Sequence, residues 1–384
     1  MKIVHICLNG PFTDGWSYQE NLLSKYHVKL GCTVTVICSK WIYNKGEKAY
    51  CDKDTYINDD GVKIIRLDTY RGDIDSKFKK YKNLRESIAL ENPDILFVHG
   101  VGSLDNVVIA EYCDTHPDVV MYVDNHADFS NSATNWFSKN ILHKLIWKHY
   151  AKIIEPYTKK FYGVLPARVD FLSEVYGLPQ NKCELLVMGA DDELVEKSKK
   201  NNARKKIRLK YGIKDEDFLI VTGGKIDIWK KQILKLLQAV KESKNDYIKL
   251  IFFGSIAQEI KLDVEKYIDE DKIKYIGWID SRESYDYFEA SDLVVFPGRH
   301  SVFWEQVTGQ GVPMLVKDWP GTHHVDLGGN VQFVKSDSSD ELKKKLEEIF
   351  SDPIQYKRMK FVAENRGMKK FSYREIAKIS VEFK

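Results

Sequence analysis

Several features are missing from this sequence, and each absence excludes a class. No stretch approaches the ~20 apolar residues that a bilayer-spanning helix needs, so no helical membrane crossing is expected. There is no excess of charge: 59 Lys and Arg stand against 56 Asp and Glu, a net charge of +3, which calls for neither nucleic acid nor a strongly acidic partner. The six cysteines (Cys7, Cys32, Cys38, Cys51, Cys113, Cys183) form no CxxC pair. Cys7, Cys32 and Cys38 sit in or beside apolar runs, where a free thiol behaves as a small hydrophobe, and a reduced, cytoplasmic chain is expected. Met1-Lys2 leads straight into an apolar run too short and too lightly basic for a signal peptide. There is no GxGxxG and no GxxxxGK[ST], which argues against a dinucleotide dehydrogenase and a P-loop NTPase.

What is present is a rhythm of short apolar runs separated by helix-length segments. Lys2–Leu8, Thr33–Cys38, Val62–Leu67, Asp94–Val98 and Val119–Val123 read as buried strands, with Tyr18–Leu30 as a helix between the first two. A long helical region is expected over Ser138–Lys160, and a strand over Glu184–Met188. The charged stretch Asp191–Tyr211 reads as a linker and an opening helix, after which the rhythm restarts. Strands are expected at Phe218–Thr222, Ile248–Phe253, Ile273–Ile276, Leu293–Phe296 and Pro313–Val316. Helices are expected at Lys230–Lys241, Arg282–Ala290, Asp340–Phe350, Pro353–Glu364 and Tyr373–Phe383. With 384 residues, the economical architecture is α/β: two Rossmann-like doubly wound domains, 1–190 and 191–365, followed by a C-terminal helix in 366–384.

Two segments carry candidate chemistry. Gly223-Gly224-Lys225 through Lys231 follows the strand Phe218–Thr222 and reads as opening a helix. Glycines admit a ligand close to the backbone, a helix start offers free N–H groups, and Lys225 and Lys230 add charge-assisted bonds, a combination suited to a diphosphate. Val123-Asp124-Asn125-His126-Ala127-Asp128 follows the strand Val119–Val123. A histidine at a parallel strand end is placed to meet a ligand and titrates near neutrality; the structural alternative is a turn capped by Asp and Asn.

The Gly223–Lys231 segment resembles the Gly-Gly-Arg/Lys…Lys loop of family 4 glycosyltransferases, and further segments along nearly the whole chain agree. Asn9-Gly10-Pro11…Gly15-Trp16 resembles the loop after that family's first strand, and Met188-Gly189-Ala190-Asp191 its Gly-Val-Asp. Tyr275-Ile276-Gly277 resembles its Phe-x-Gly, and Ala290-Ser291-Asp292…Pro297 its Ala-Asp…Pro. The resemblance implies the GT-B fold, with the two domains facing across a cleft and the last helix packing back on the first domain. It also implies a retaining, metal-independent transferase with a UDP- or GDP-linked sugar as donor and no resident cofactor. It places His126, Asp128 and Lys230 at the chemistry. Gly223, Gly224, Lys225, Lys230, His300, Ser301, Glu305 and Gln306 would hold the donor, with Gly10, Gly15 and Trp16 on the acceptor side.

One region departs from the family pattern. Anchoring the family's Glu-x7-Glu on Gly311-Val312-Pro313 puts Gly298 and Gln306 at the two glutamate positions, with Glu305 one residue early. Gln306 can still accept from a ribose hydroxyl through its amide oxygen. Asp73-Ile74-Asp75 matches the metal-binding Asp-x-Asp of GT-A enzymes but lies in a polar stretch away from any strand end, so no metal site is expected there. The expected acceptor is a glycan, a lipid-linked saccharide or a protein, in polysaccharide biosynthesis. The bases and aromatics of Lys77–Lys82 and Asn140–Lys160 read as a solvated face, with peripheral contact to the inner membrane surface as the alternative. A nucleotide-sugar epimerase and a catalytically silent GT-B scaffold are the competing functions.

Overall fold

The computed structural model describes residues 1–44, 47–72, 77–228, 231–269 and 271–383, and the chain divides into two compact units. One comprises Met1–Val187 with Ile376–Lys384, the other Met188–Glu375. The boundaries expected from the sequence lie at 190/191 and 365/366. Asp73, Ile74 and Asp75 lie outside the described residues.

The first unit's strands are β1 (Lys2–Cys7), β2 (Thr33–Ser39), β3 (Trp41–Asn44), β4 (Glu47–Tyr50), β5 (Thr55–Ile57), β6 (Lys63–Leu67), β7 (Ile95–His99), β8 (Val120–Asn125), β9 (Thr158–Gly163) and β10 (Cys183–Leu185). Among the described residues, eight of them form a sheet ordered β10-β9-β8-β7-β1-β2-β6-β5. It is parallel throughout except for β5 against β6. The chain builds outward from β1 through β2 to β6, then returns and builds the other way from β7, so the direction of winding reverses between β1 and β7. Strands of this kind are buried on both faces and read as continuous apolar runs. Val36, Ile37, Leu96, Phe97, Met121 and Val123 are accordingly buried. All six cysteines are free thiols, and burial pushes the Cys38 thiol up to about 12.

The second unit contains β11 (Phe218–Gly223), β12 (Ile248–Phe253), β13 (Ile273–Tyr275), β14 (Leu293–Phe296), β15 (Met314–Lys317) and β16 (Val331–Val334), ordered β13-β12-β11-β14-β15-β16 and all parallel. Winding reverses here between β11 and β14. Two parallel-sheet, Rossmann-like α/β domains are what the apolar rhythm predicts.

Local differences have local causes. The helical region expected to reach Lys160 runs through Ser138–Trp147 and Lys148–Ile154, its first part wide enough for the Lys148 N–H to reach His143 O. Pro156 lies in a single tight turn after it, and Thr158–Gly163 becomes an inner strand paired with β8. The charged stretch after Asp191 is two helices, Asp192–Lys200 and Ala203–Lys210, with the Asp191 side chain accepting the Glu193 N–H at the first N-terminus. The helix expected from Lys230 begins at Ile233. No helix among the described residues is long and apolar enough to cross a membrane.

Candidate functional site

In the second unit, β11 ends in the two glycines that the sequence singles out. A Cβ on Gly223 would lie 2.1 Å from the Phe253 ring, and Gly224 adopts φ +123°. Across from them Gly254, φ +122°, leaves no room for a side chain, since its Cβ would lie 1.9 Å from Gly224 O. The turns after β11 and β12 therefore touch backbone to backbone, which only glycine allows. Gly224 N–H donates to Phe253 O (3.1 Å), Ile226 N–H to Ser255 O (2.8 Å) and Ala257 N–H to Ile226 O (2.8 Å). The side chain of Lys225 is 72% exposed, with its Nζ 3.4 Å from Asp227 Oδ2. Lys230 lies outside the described residues. Because the helix starts at Ile233, the glycines do not open it directly as expected; a loop intervenes.

That loop ends at Gln232, beside the turn that follows β14. A Cβ on Gly298 would lie 3.2 Å from Gln232 Oε1, an oxygen that is buried without a hydrogen-bond partner among the described residues. Position 298, where the family pattern has a glutamate, is thus bordered by a glutamine side chain from another loop. No sequence signal marks Gln232, because the two positions meet only in the fold.

Glu305 and Gln306 lie in the first turn of the helix Phe303–Gln310, and both are buried. Glu305 Oε1 accepts from His300 Nε2 (2.8 Å) and from His324 Nε2 (2.9 Å). Its Oε2 and the Nδ1 of His324 have no hydrogen-bond partner among the described residues. Burial alone would raise this carboxyl, but His300 and His324 overcome it and hold Glu305 down at about 2. The ligand atoms of these three residues lie within 4.8 Å of one another. The two N···O separations are hydrogen-bond lengths, shorter than the roughly 3.3 Å that two ligands keep around a tetrahedral zinc ion. Gln306 Nε2 donates to Ser284 Oγ (2.9 Å), which orients its amide, and Ser301 Oγ accepts the Phe303 N–H at the helix start (3.4 Å). His324 is a further residue that the sequence reading missed, nineteen positions from its partner Glu305.

The first unit carries its candidates at the ends of β1, β7 and β8. His126 follows β8; its side chain is 40% exposed, and its Nε2 lies 3.6 Å from Asp124 Oδ2, an ion-pair separation. Burial would lower the His126 pKa, but the Asp124 carboxylate outweighs it and raises it. Asp128 is committed to the fold. Its Oδ1 accepts Ser130 N–H (2.6 Å) and Ser130 Oγ (2.5 Å), and its Oδ2 pairs with Arg168 Nε (3.0 Å). It shapes the loop that carries His126, which is the turn-capping role weighed for it in the sequence. Gly10 lines a cavity of about 310 Å³ with Asn9, Pro11, Trp41, Lys48 and Lys77. Gly15 adopts φ +74°, and Trp16 stacks on Tyr43 at 5.4 Å.

The cluster around Glu305 predicts a pH signature. In the fold the carboxyl binds its proton only near pH 2, against an ordinary value of 4.5, so its stabilisation is full above pH 4.5 and is lost as pH falls towards 2. Glu305→Gln should be less stable than wild type by about 2–3 kcal/mol near neutrality, a gap that closes between pH 4.5 and pH 2 in urea unfolding. A gap that stays constant over that range contradicts the assignment.

Residues 203–366, within the second unit, match the family model described as Glycosyl transferases group 1. No curated protein matches the chain. Among solved structures, a glycosyltransferase from Rickettsia africae is similar at 16% identity and TM-score 0.69, covering 99% of this chain and 97% of that one. Anabaena HepE in complex with UDP is similar at 15% identity and TM-score 0.70, covering 100% and 99%. The UDP-GlcNAc 2-epimerase from Neisseria meningitidis, bound to UDP-GlcNAc, is similar at 14% identity and TM-score 0.62, covering 100% and 99%. The chain has the two-domain Rossmann-like fold of GT-B glycosyltransferase structures, and the matched family model supports glycosyl transfer by its second unit.

Proposed function

We propose that the protein transfers a sugar from a nucleotide-diphosphate donor to a glycan, lipid-linked or protein acceptor with retention of configuration, as family 4 enzymes do. The observation that carries this reading is the arrangement at the winding reversal of the second sheet, where open α/β folds bind their ligands. On one side of it the Gly224–Gly254 approach leaves a backbone-floored turn beside the exposed Lys225. On the other, Glu305 offers a buried oxygen that has no donor among the described residues. The family match over the same unit and the similarity to a structure holding UDP support the assignment.

In this reading the donor diphosphate lies against Gly223, Gly224, Lys225 and Lys230. Ribose or sugar hydroxyls donate to Glu305 Oε2 and the Gln306 amide oxygen. The bond from the anomeric carbon to the diphosphate oxygen breaks and a bond to the acceptor oxygen forms on the same face, while the acceptor's proton passes to the departing diphosphate. Charge develops on that leaving group, so lysines that meet it lower the barrier more than they tighten ground-state binding. His126, at a strand end of the first unit, hydrogen-bonds the transferring sugar or orients the acceptor hydroxyl. We place the enzyme in the cytoplasm, touching anionic lipid through the exposed Trp136, Phe137 and Leu145 beside Lys139 and Lys144. Sedimentation with anionic vesicles should be lost in W136S/F137S, and retention of binding by that variant would remove the contact from the account.

Donor turnover separates transfer from epimerisation: a transferase slowly releases nucleoside diphosphate from its donor, whereas an epimerase returns an altered nucleotide sugar. A charged hydrogen bond contributes about 1.5–3 kcal/mol. Lys225→Ala and Lys230→Ala should each therefore weaken nucleoside-diphosphate binding about tenfold or more in calorimetry, with turnover indifferent to EDTA. Wild-type affinity in both variants, or activity abolished by EDTA and restored by magnesium, overturns the donor site. His126→Ala should lower turnover by ~10²-fold with nucleoside-diphosphate affinity unchanged; full turnover would leave His126 a loop residue.

A further inference from the structure

Inside the first unit four buried groups form an unbroken hydrogen-bonded line. His27, on the helix Gln19–Lys29, places Nε2 3.0 Å from the carbonyl oxygen of Ala377 and 3.0 Å from Ser380 Oγ. Its Nδ1 is 2.9 Å from His5 Nε2 on β1. His5 Nδ1 is 3.0 Å from His99 Nε2 on β7, and His99 Nδ1 is 2.6 Å from Asp124 Oδ2 on β8. Asp124 Oδ1 accepts the Gly100 N–H (3.0 Å), and His126 Nε2 stands 3.6 Å from Oδ2. His5, His27 and Asp124 are 0% exposed and His99 is 6% exposed.

The ends of this line fix its protons. The Ala377 carbonyl oxygen only accepts, and the Ser380 hydroxyl donates to that same oxygen (2.8 Å) rather than to His27, so His27 Nε2 carries a proton. A neutral His27 then has a bare Nδ1, which requires His5 Nε2 to donate. His5 Nδ1 is bare in turn, and His99 Nε2 donates to it. At the far end stands a second acceptor, the Asp124 carboxylate. Four hydrogen bonds need four protons, and three neutral imidazoles supply three. The fourth proton sits either on Asp124 or on an imidazole. Gly100 N–H, His99 and His126 all converge on Asp124, a setting that favours the anion. The charge is best placed on the imidazole that touches it.

We propose that His27, His5, His99 and Asp124 form a proton-loaded wire that keeps His99 as a buried imidazolium against the Asp124 carboxylate and thereby positions His126. Burial lowers the pKa of His5, and lowers that of His27 to about 4, in keeping with their neutral places in the line. Burial works against ionised Asp124 as well, yet its neighbours His99 and His126 hold it below the ordinary carboxylate range. The groups facing His126 are Asp124 on β8, Glu20 on the helix Gln19–Lys29 and Arg168 on the helix Pro166–Glu174. With Nε2 turned towards the carboxylate, Nδ1 is the atom His126 presents outward. His5, His27 and His99 are positioning residues, and the inference stands apart from the identity of the substrate.

The test is nitrogen-15 NMR of the full chain labelled at histidine, recorded between pH 6.5 and pH 8. With the signals of His5, His27 and His99 assigned by single substitutions, the wild type should show one of these three imidazoles protonated on both nitrogens at every pH and the other two protonated on Nε2 alone. His99→Gln should remove the doubly protonated signal. In Asp124→Asn the amide can donate to His99 Nδ1, so all three imidazoles of the line become neutral and the midpoint of His126 falls, because the carboxylate that raises it is gone. All three imidazoles of the line neutral in the wild type would put the proton on Asp124 and overturn the proposal, as would a doubly protonated signal from one of those three that survives in folded Asp124→Asn. The wild-type spectrum alone decides the first point if Asp124→Asn does not fold.

Discussion

A parallel sheet covered by helices on both faces leaves room for ligand chemistry only where its strands end. Inside, each polar group must find a partner or cost about 1–3 kcal/mol. Both units obey this constraint, and it decides where every candidate residue lies. The glycine turns after β11 and β12, the loop and first helical turn from Pro297 to Glu305, and the segments following β1, β7 and β8 are all at carboxyl ends. Each sheet also reverses its winding once, at β1/β7 and at β11/β14, which parts the loops on either side and opens a crevice. The second unit places its two glycine turns and the Glu305 cluster around that reversal, and the first places Asn9, Gly100 and the His5–His99 contact around its own.

The two units solve one electrostatic problem in the same way. Each buries a carboxylate completely, Asp124 in one and Glu305 in the other, and each surrounds it with two imidazoles. An isolated buried carboxylate would take up a proton, since desolvation penalises its charged form. The imidazoles reverse that outcome, and both carboxyls are held below their ordinary range. The difference lies in what remains unsatisfied. Asp124 engages donors on both oxygens, which suits a structural anion that orients its neighbours. Glu305 keeps one oxygen without a donor among the described residues, which suits a group waiting for a hydroxyl.

Much of this was legible in the residues. Runs such as Thr33–Cys38 and Ile248–Phe253 are apolar because both faces of their strands are covered, so their length and bounds announce a parallel sheet. Gly223-Gly224 could be read because the Phe253 ring leaves no space for a Cβ at 223 and position 224 takes φ +123°, which side chains rarely adopt. Hidden features depended on contacts between residues far apart in sequence. His324 joins Glu305 and Gln232 borders Gly298 only once the second sheet has formed, and the histidine line unites residues from β1, β7, β8 and two helices. Single histidines in apolar runs look like ordinary core residues until their ring nitrogens can be traced to partners. Asp128 shows what the sequence leaves open in another way: a carboxylate beside a promising histidine reads equally as a catalytic group or a turn cap, and only the fold shows its oxygens engaged by Ser130 and Arg168.

The central claim is that the donor's diphosphate is held at the winding reversal of the second sheet. Hydrogen exchange with and without saturating UDP, and then GDP, measures this directly, because a bound ligand slows opening of the backbone it touches. The account predicts protection of the segments around Gly223–Lys225, Gly254 and the first turn of Phe303–Gln310 with at least one of the two nucleotides, and little change at Gly10–Trp16. Protection confined to the first unit, or absent with both nucleotides at saturation, would contradict it.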